Sequence, residues 1–158
     1  MKRMFLKKII MVLAIFVLLG LICGCVSIPE ANTTTSPNVR FSNYTFANIT
    51  GIENTANMGK YYMDIQNSLS LNGYNVIRDT RIQELNANER ARVMIVYVAI
   101  TTSYHEHVCI INITDYLTGN VLMSTRVRAK QDFWMVNFVL DDVVAKAIEE
   151  MENVIKRR

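Results

Sequence analysis

The pattern of apolar and polar residues changes several times along this chain. Residues 9–22 are an unbroken apolar run of 14, with nothing more polar than Gly20. Residues 26–40 then show no apolar period; they carry Pro29 and Pro37 among Asn, Thr and Ser. Residues 41–49 alternate: Phe41, Asn43, Thr45 and Ala47 fall on one side, Tyr44, Phe46 and Asn48 on the other. That period of two predicts a strand ending at Thr50-Gly51.

Over residues 57–72 the spacing becomes helical, through Met58, Tyr61, Tyr62, Ile65, Leu69 and Leu71. Gly73 closes that helix, because its missing Cβ allows the left-handed backbone of a helix end. Residues 74–77 read as a short strand. Residues 78–90 are polar, with Ile82 and Leu85 suggesting one helical turn.

Residues 92–101 hold an eight-residue apolar run from Val93 to Ile100, rich in β-branched side chains. It predicts a strand buried on both faces. Residues 107–114 and 121–130 form a hairpin around Asp115-Tyr116-Leu117-Thr118-Gly119-Asn120, whose Gly119-Asn120 can take positive φ. Arg126, Arg128 and Lys130 share a solvated face of the second strand. Residues 131–137 read as a loop holding the single Trp, Trp134. The last helix, residues 138–155, has the stripe Val139, Val143, Ala147, Met151 and Val154, widened by Leu140, Val144, Ile148 and Ile155. Two amphipathic helices and one largely antiparallel mixed sheet predict an α+β two-layer sandwich, with both helices on one face.

Charge and cysteine refine this picture. Four of the 17 basic residues, Lys2, Arg3, Lys7 and Lys8, precede the apolar run, and none of the 14 acidic residues does. The remainder, 13 basic against 14 acidic, has a net charge of −1, which argues against a nucleic-acid partner. Positive charge, then a short apolar core, then small residues is the order of a secretory signal. The core is short for a spanning helix, which needs about 20 apolar residues.

Ile22-Cys23-Gly24-Cys25 at its end resembles a bacterial lipobox: an apolar residue three positions before a cysteine, and a small residue directly before it. Cys23 stands where Ala, Ser or Thr is usual. The resemblance implies a signal peptide over residues 1–24, a lipidated Cys25 carrying palmitate-type acyl chains, and a flexible tether over residues 25–40. A single domain over 41–158 would follow. The competing reading is an uncleaved signal anchor over residues 9–28. With Cys23 removed and Cys25 acylated, only Cys109 remains, and no internal disulfide is possible.

Gly73-Tyr74-Asn75-Val76 and Asp115-Tyr116-Leu117-Thr118-Gly119-Asn120-Val121-Leu122, in this element order, resemble a family of small periplasmic lipoprotein domains. It includes the lipoprotein activators of penicillin-binding proteins, the curli secretion lipoprotein and the amino-terminal domain of TolB. The resemblance spans roughly residues 43–154. It implies a non-catalytic binding module that docks on another envelope protein or on copies of itself. Val26 after Cys25 implies the periplasmic face of an outer membrane, if the host has one.

Candidate chemistry is thin. His105 and His107 are two apart, and on a strand both imidazoles would face one way. A zinc site needs three or four ligands, and no third is evident, so no metal is expected. Cys109 lies two residues from His107, but its apolar neighbours favour a buried small hydrophobe over a nucleophile. Asp141, Asp142, Glu149 and Glu150 fall on the polar side of the last helix. Phe133 and Trp134, with Arg126 and Arg128 beside them, are the candidate partner anchors, since Trp and Arg are enriched at interface hot spots. The expectations are a protein-binding lipoprotein, no enzyme activity, and no cofactor beyond the lipid on Cys25. The alternative is a lipid- or glycan-handling assembly lipoprotein.

Overall fold

The computed structural model describes residues 28–52, 58–130 and 136–156 of the 158-residue chain. Strands β1 (Glu30–Thr35), β2 (Phe46–Thr50), β3 (Asn75–Val76), β4 (Val93–Thr102), β5 (Glu106–Asp115) and β6 (Val121–Lys130) form one sheet in the order β1-β6-β5-β4-β2-β3. The helices are α1 (Met58–Leu71), α2 (Asp79–Glu84), α3 (Ala87–Arg90) and α4 (Val136–Ile155). Strands β4, β5 and β6 pair antiparallel; β2 pairs parallel with both β3 and β4. The result is the expected α+β sandwich. Helix α4 lies on β1, β5 and β6, α1 lies on β2 and β3, and the two helices touch.

The apolar stripes pack as their spacing demands. Tyr61, Ile65 and Leu69, at intervals of four, are buried to 1 % exposure or less. Val143, Ala147, Met151 and Ile155 of α4 are fully buried beside them. The Ile, Leu, Val and Met side chains among these each contribute about 1.5–3 kcal/mol by leaving water. Leu71, assigned to the same stripe by the sequence, is 86 % exposed, because two residues past Leu69 the helix has turned away from the sheet.

Gly73, at φ 84°, ends α1. Its amide donates to the Ser70 carbonyl and the Tyr74 amide to that of Leu69. Buried Tyr74 joins the same core as Leu69, which completes a Schellman cap.

Right-handed crossovers explain where the short helices go. The chain steps outward from β2 to β3 through α1, then back over β2 to β4 through α2 and α3. Steps in opposite directions with one hand need opposite faces. Asn48, whose neighbours Ala47 and Ile49 enter the main core, points to that second face and is 2 % exposed. Its Nδ2 donates to the Ile77 carbonyl at 2.9 Å. Ile82 of α2 is buried outside the main core.

Three expectations change. The strand expected over residues 41–49 begins only at Phe46; Phe41–Asn43 is a 3-10 turn, with the Tyr44 amide donating to the Phe41 carbonyl. Phe41 is buried in the core, so its apolar character served packing rather than a strand period. Strand β4 is closed fully on one face and only in part on the other, where Val93 is buried and Ile95 half-buried. Met94, Val96 and Val98 are fully buried, but Tyr97 opposite them is 45 % exposed, because no long helix covers the second face there.

The third change concerns the tether. Residues 30–35, read as part of it, are the edge strand β1, paired residue for residue with β6 from Glu30↔Arg128 to Thr35↔Met123. The strand shows no apolar period because a polar edge can be held by backbone pairing. The Thr33 hydroxyl adds a 2.8 Å bond to that of Thr125 and a 3.3 Å bond to Glu150 on α4.

Candidate functional site

The uncovered sheet face is built by alternation. Odd residues of β5 and β6 enter the helix-side core, and Arg126, Arg128 and Lys130 stand exposed on the other side. β1 completes their setting. Glu30 Oε2 accepts from Arg128 Nε at 3.1 Å and Nη2 at 2.9 Å, so this guanidinium is engaged within the chain. Arg126 stands in register with Asn32. Glu30, Ala31, Asn32, Arg126 and Arg128 line a depression of about 430 Å³. Arg126 and Arg128 thus lie on one exposed face, and Arg128 is already engaged by an acid the sequence reading did not connect to it. Phe133, Trp134 and Cys25 lie outside the described residues.

A second concavity of about 450 Å³ runs between α1 and α4 on their outer side. Asp141 sits at its upper end. Its carboxylate accepts from Tyr61 Oη at 2.8 Å and pairs with Lys60 Nζ at 2.8 Å. The Lys60 ammonium, then the Tyr61 hydroxyl, hold the Asp141 carboxyl below its usual range, and Asp141 in turn raises Lys60. At the lower end Lys156 lies 2.6 Å from Glu152 and lowers it. The acids assigned to a solvated helix face thus include one that ties the two helices together.

The histidine and cysteine candidates separate. β5 begins at Glu106, so His105 precedes the strand, in an exposed bend, and does not share a face with His107. His107 is 1 % exposed, and neither ring nitrogen finds a hydrogen-bond partner. Among the described residues no group of three His, Cys, Asp or Glu could hold a metal ion. Cys109 is fully buried among core side chains, and burial pushes its thiol up to about 12. A thiol so raised stays protonated at neutral pH and is a poor nucleophile.

The Asp115 turn is a structural lock. Asp115 Oδ1 accepts from the Thr118 amide and hydroxyl, and Oδ2 from Tyr44 Oη at 2.9 Å. Burial, aided by this carboxylate, raises Tyr44 to about 12. Burial works against ionisation of Asp115, but the bonds from Thr118 and Tyr44 outweigh it and leave its carboxyl below the usual range. Gly119, at φ 69°, makes the turn as the sequence predicts.

Sequence reasoning missed Glu30 and Asn32, and the Lys60–Tyr61–Asp141 cluster. The run Thr33-Thr34-Thr35, three β-branched residues, was the available signal for the first. Nothing local signals the second, because Tyr61 and Asp141 are 80 residues apart.

Among the described residues no helix is long and apolar enough to cross a membrane. No family model matches the chain, and no curated protein sequence does. Solved structures do. A PelC variant dodecamer from Paraburkholderia phytofirmans is 14 % identical with a TM-score of 0.50, covering 78 % of this chain and 97 % of that one. Lipoprotein GNA1162 from Neisseria meningitidis is 13 % identical with a TM-score of 0.40, covering 69 % and 97 %. A DUF4136 family protein from Bacteroides thetaiotaomicron is 10 % identical with a TM-score of 0.43, covering 82 % and 95 %. At such identities the likeness is one of fold: this chain is similar in architecture to the PelC subunit.

Proposed function

We propose that this chain is an envelope lipoprotein, tethered through acyl chains on Cys25, that acts as a non-catalytic protein-binding or assembly module. The observation that carries the reading is β1. It is a six-residue edge strand that pairs only with β6 among the described residues, so its outer backbone groups are left for another chain. The opposite edge, β3, is two residues long and offers little. PelC was solved as a dodecamer, and by analogy of fold a second copy of this chain is one occupant of the β1 edge. The resemblance of Gly73-Tyr74-Asn75-Val76 and the Asp115 hairpin to periplasmic lipoprotein domains supports the same class.

Lipid or glycan carriage, the second reading, needs an apolar cavity between sheet and helices. Val96, Val143 and Ala147, members of one core cluster, are buried to zero exposure, and that favours the binding module.

Two measurements test the proposal. Metabolic labelling with a fatty acid should mark the wild-type chain and not Cys25→Ser; failure to mark the wild type returns the reading to a signal anchor. Gentle crosslinking on intact membranes should recover a defined hetero- or homo-oligomer. Recovery of the monomer alone would refute the assembly role.

A further inference from the structure

The start of β1 fixes how far the folded part can stand from the lipid. Four residues, 26–29, separate Cys25 from Glu30. A fully extended chain gains at most about 3.6 Å per residue, so the Cα of Glu30 lies within about 18 Å of that of Cys25. Pro29, with its fixed φ, stiffens the last of these links.

Register then says which end of the domain Glu30 occupies. Glu30 pairs with Arg128, Arg128 with Val108, and Val108 with Thr101. The same end carries the β4–β5 turn, closed by the Ser103 amide on the Glu106 carbonyl. Ile28, 83 % exposed, and Tyr104, 84 % exposed, project from it. The opposite end, with Tyr116 and Leu117, lies a ten-residue strand away, about 33 Å. A reach of about 18 Å does not let that far end touch the bilayer while Glu30 points away from it.

We propose that the sheet end bearing Ile28 and Tyr104 lies against the headgroup region of the membrane that holds the Cys25 lipid, with the Tyr104 ring as an interfacial contact. The inference rests on the lipid-anchor reading above. Tyrosine suits this position, since its apolar ring and polar hydroxyl are both accommodated at a membrane–water interface. The β1 edge then stands upright on the membrane, its long side open to a neighbouring protein in the same leaflet.

The test uses the full-length acylated protein in vesicles of phosphatidylethanolamine and phosphatidylglycerol with a nitroxide on a fraction of the headgroups. A thiol-reactive fluorophore is placed on Tyr104→Cys or on Leu117→Cys; both positions are exposed, and buried Cys109 does not compete. The Tyr104→Cys probe should be quenched at least about threefold more strongly, given a separation of about 30 Å along the strands. Equal quenching on a chain whose mass shows acylated Cys25 overturns the orientation alone. Stronger quenching of the Leu117→Cys probe does the same. A chain without acyl mass overturns the anchor, and the orientation with it.

Discussion

Proline substitution in β1 separates real pairing of this edge from chance proximity. The Ser36 amide donates to the Leu122 carbonyl at 3.0 Å, and the register continues as Thr34↔Ser124 and Asn32↔Arg126. In an antiparallel pair hydrogen-bonded positions alternate, so the amides of Asn32 and Thr34 point at β6 and those of Ala31 and Thr33 point outward. Asn32→Pro removes one ladder bond and leaves the carbonyl of Arg126 without its donor, a loss of about 1–3 kcal/mol. Proline's restriction of the unfolded chain returns about 0.4–1 kcal/mol, so the net should be near 1–2 kcal/mol. Ala31→Pro loses no ladder bond and should stay within about 0.5 kcal/mol of wild type. Urea unfolding of the chain from Val26 onward, followed by circular dichroism, should move the midpoint down by roughly 0.5–1 M for Asn32→Pro and little for Ala31→Pro. Equal losses would show that the inward and outward amides are wrongly assigned. No loss in either would show that β1 is unpaired in solution, and would restore the flexible tether.

The other predictions are briefer. Gly51→Ala places a Cβ 2.5 Å from the Tyr97 ring and 2.7 Å from the Val98 carbonyl, at φ 84°; thermal melts should show a cost well above that of Gly119→Ala, whose Cβ meets nothing within 4 Å. The left-handed backbone alone costs roughly 1–2 kcal/mol at either glycine, and only Gly51 adds the clash with a carbonyl that cannot swing aside. Native protein should resist alkylation of Cys109 up to about pH 10, and the thiol should react once urea unfolds the chain; prompt native labelling would contradict its burial. Tyr44, raised in the folded state, contributes stability that is present below its unfolded value near pH 10 and is lost as pH rises through about 12. Alkaline titration monitored by thermal melts should therefore cost wild type more than Tyr44→Phe between pH 10 and 12, and parallel curves would count against the burial of Tyr44 that, with the Asp115 bond, raises it.

Sequence by itself determined the elements that are periodic. The i, i+4 stripe of α1, the stripe of α4, the Gly73 cap and the Gly119 turn are set by residues close in the chain, where spacing and backbone freedom act directly. Those patterns also imply two helices on one sheet. Tertiary structure decided what depends on distant partners. β1 has no apolar face of its own, and only β6, more than 80 residues on, makes Glu30–Thr35 a strand. Tyr97 looks like core in an apolar run and is left half open, because coverage of the second face depends on where α2 crosses. Asp141 looks like a solvated acid until Lys60 and Tyr61 reach it from α1. His105 and His107 look paired until the start of β5 falls between them, leaving one imidazole in solvent and the other in the core, since register and not spacing assigns a face.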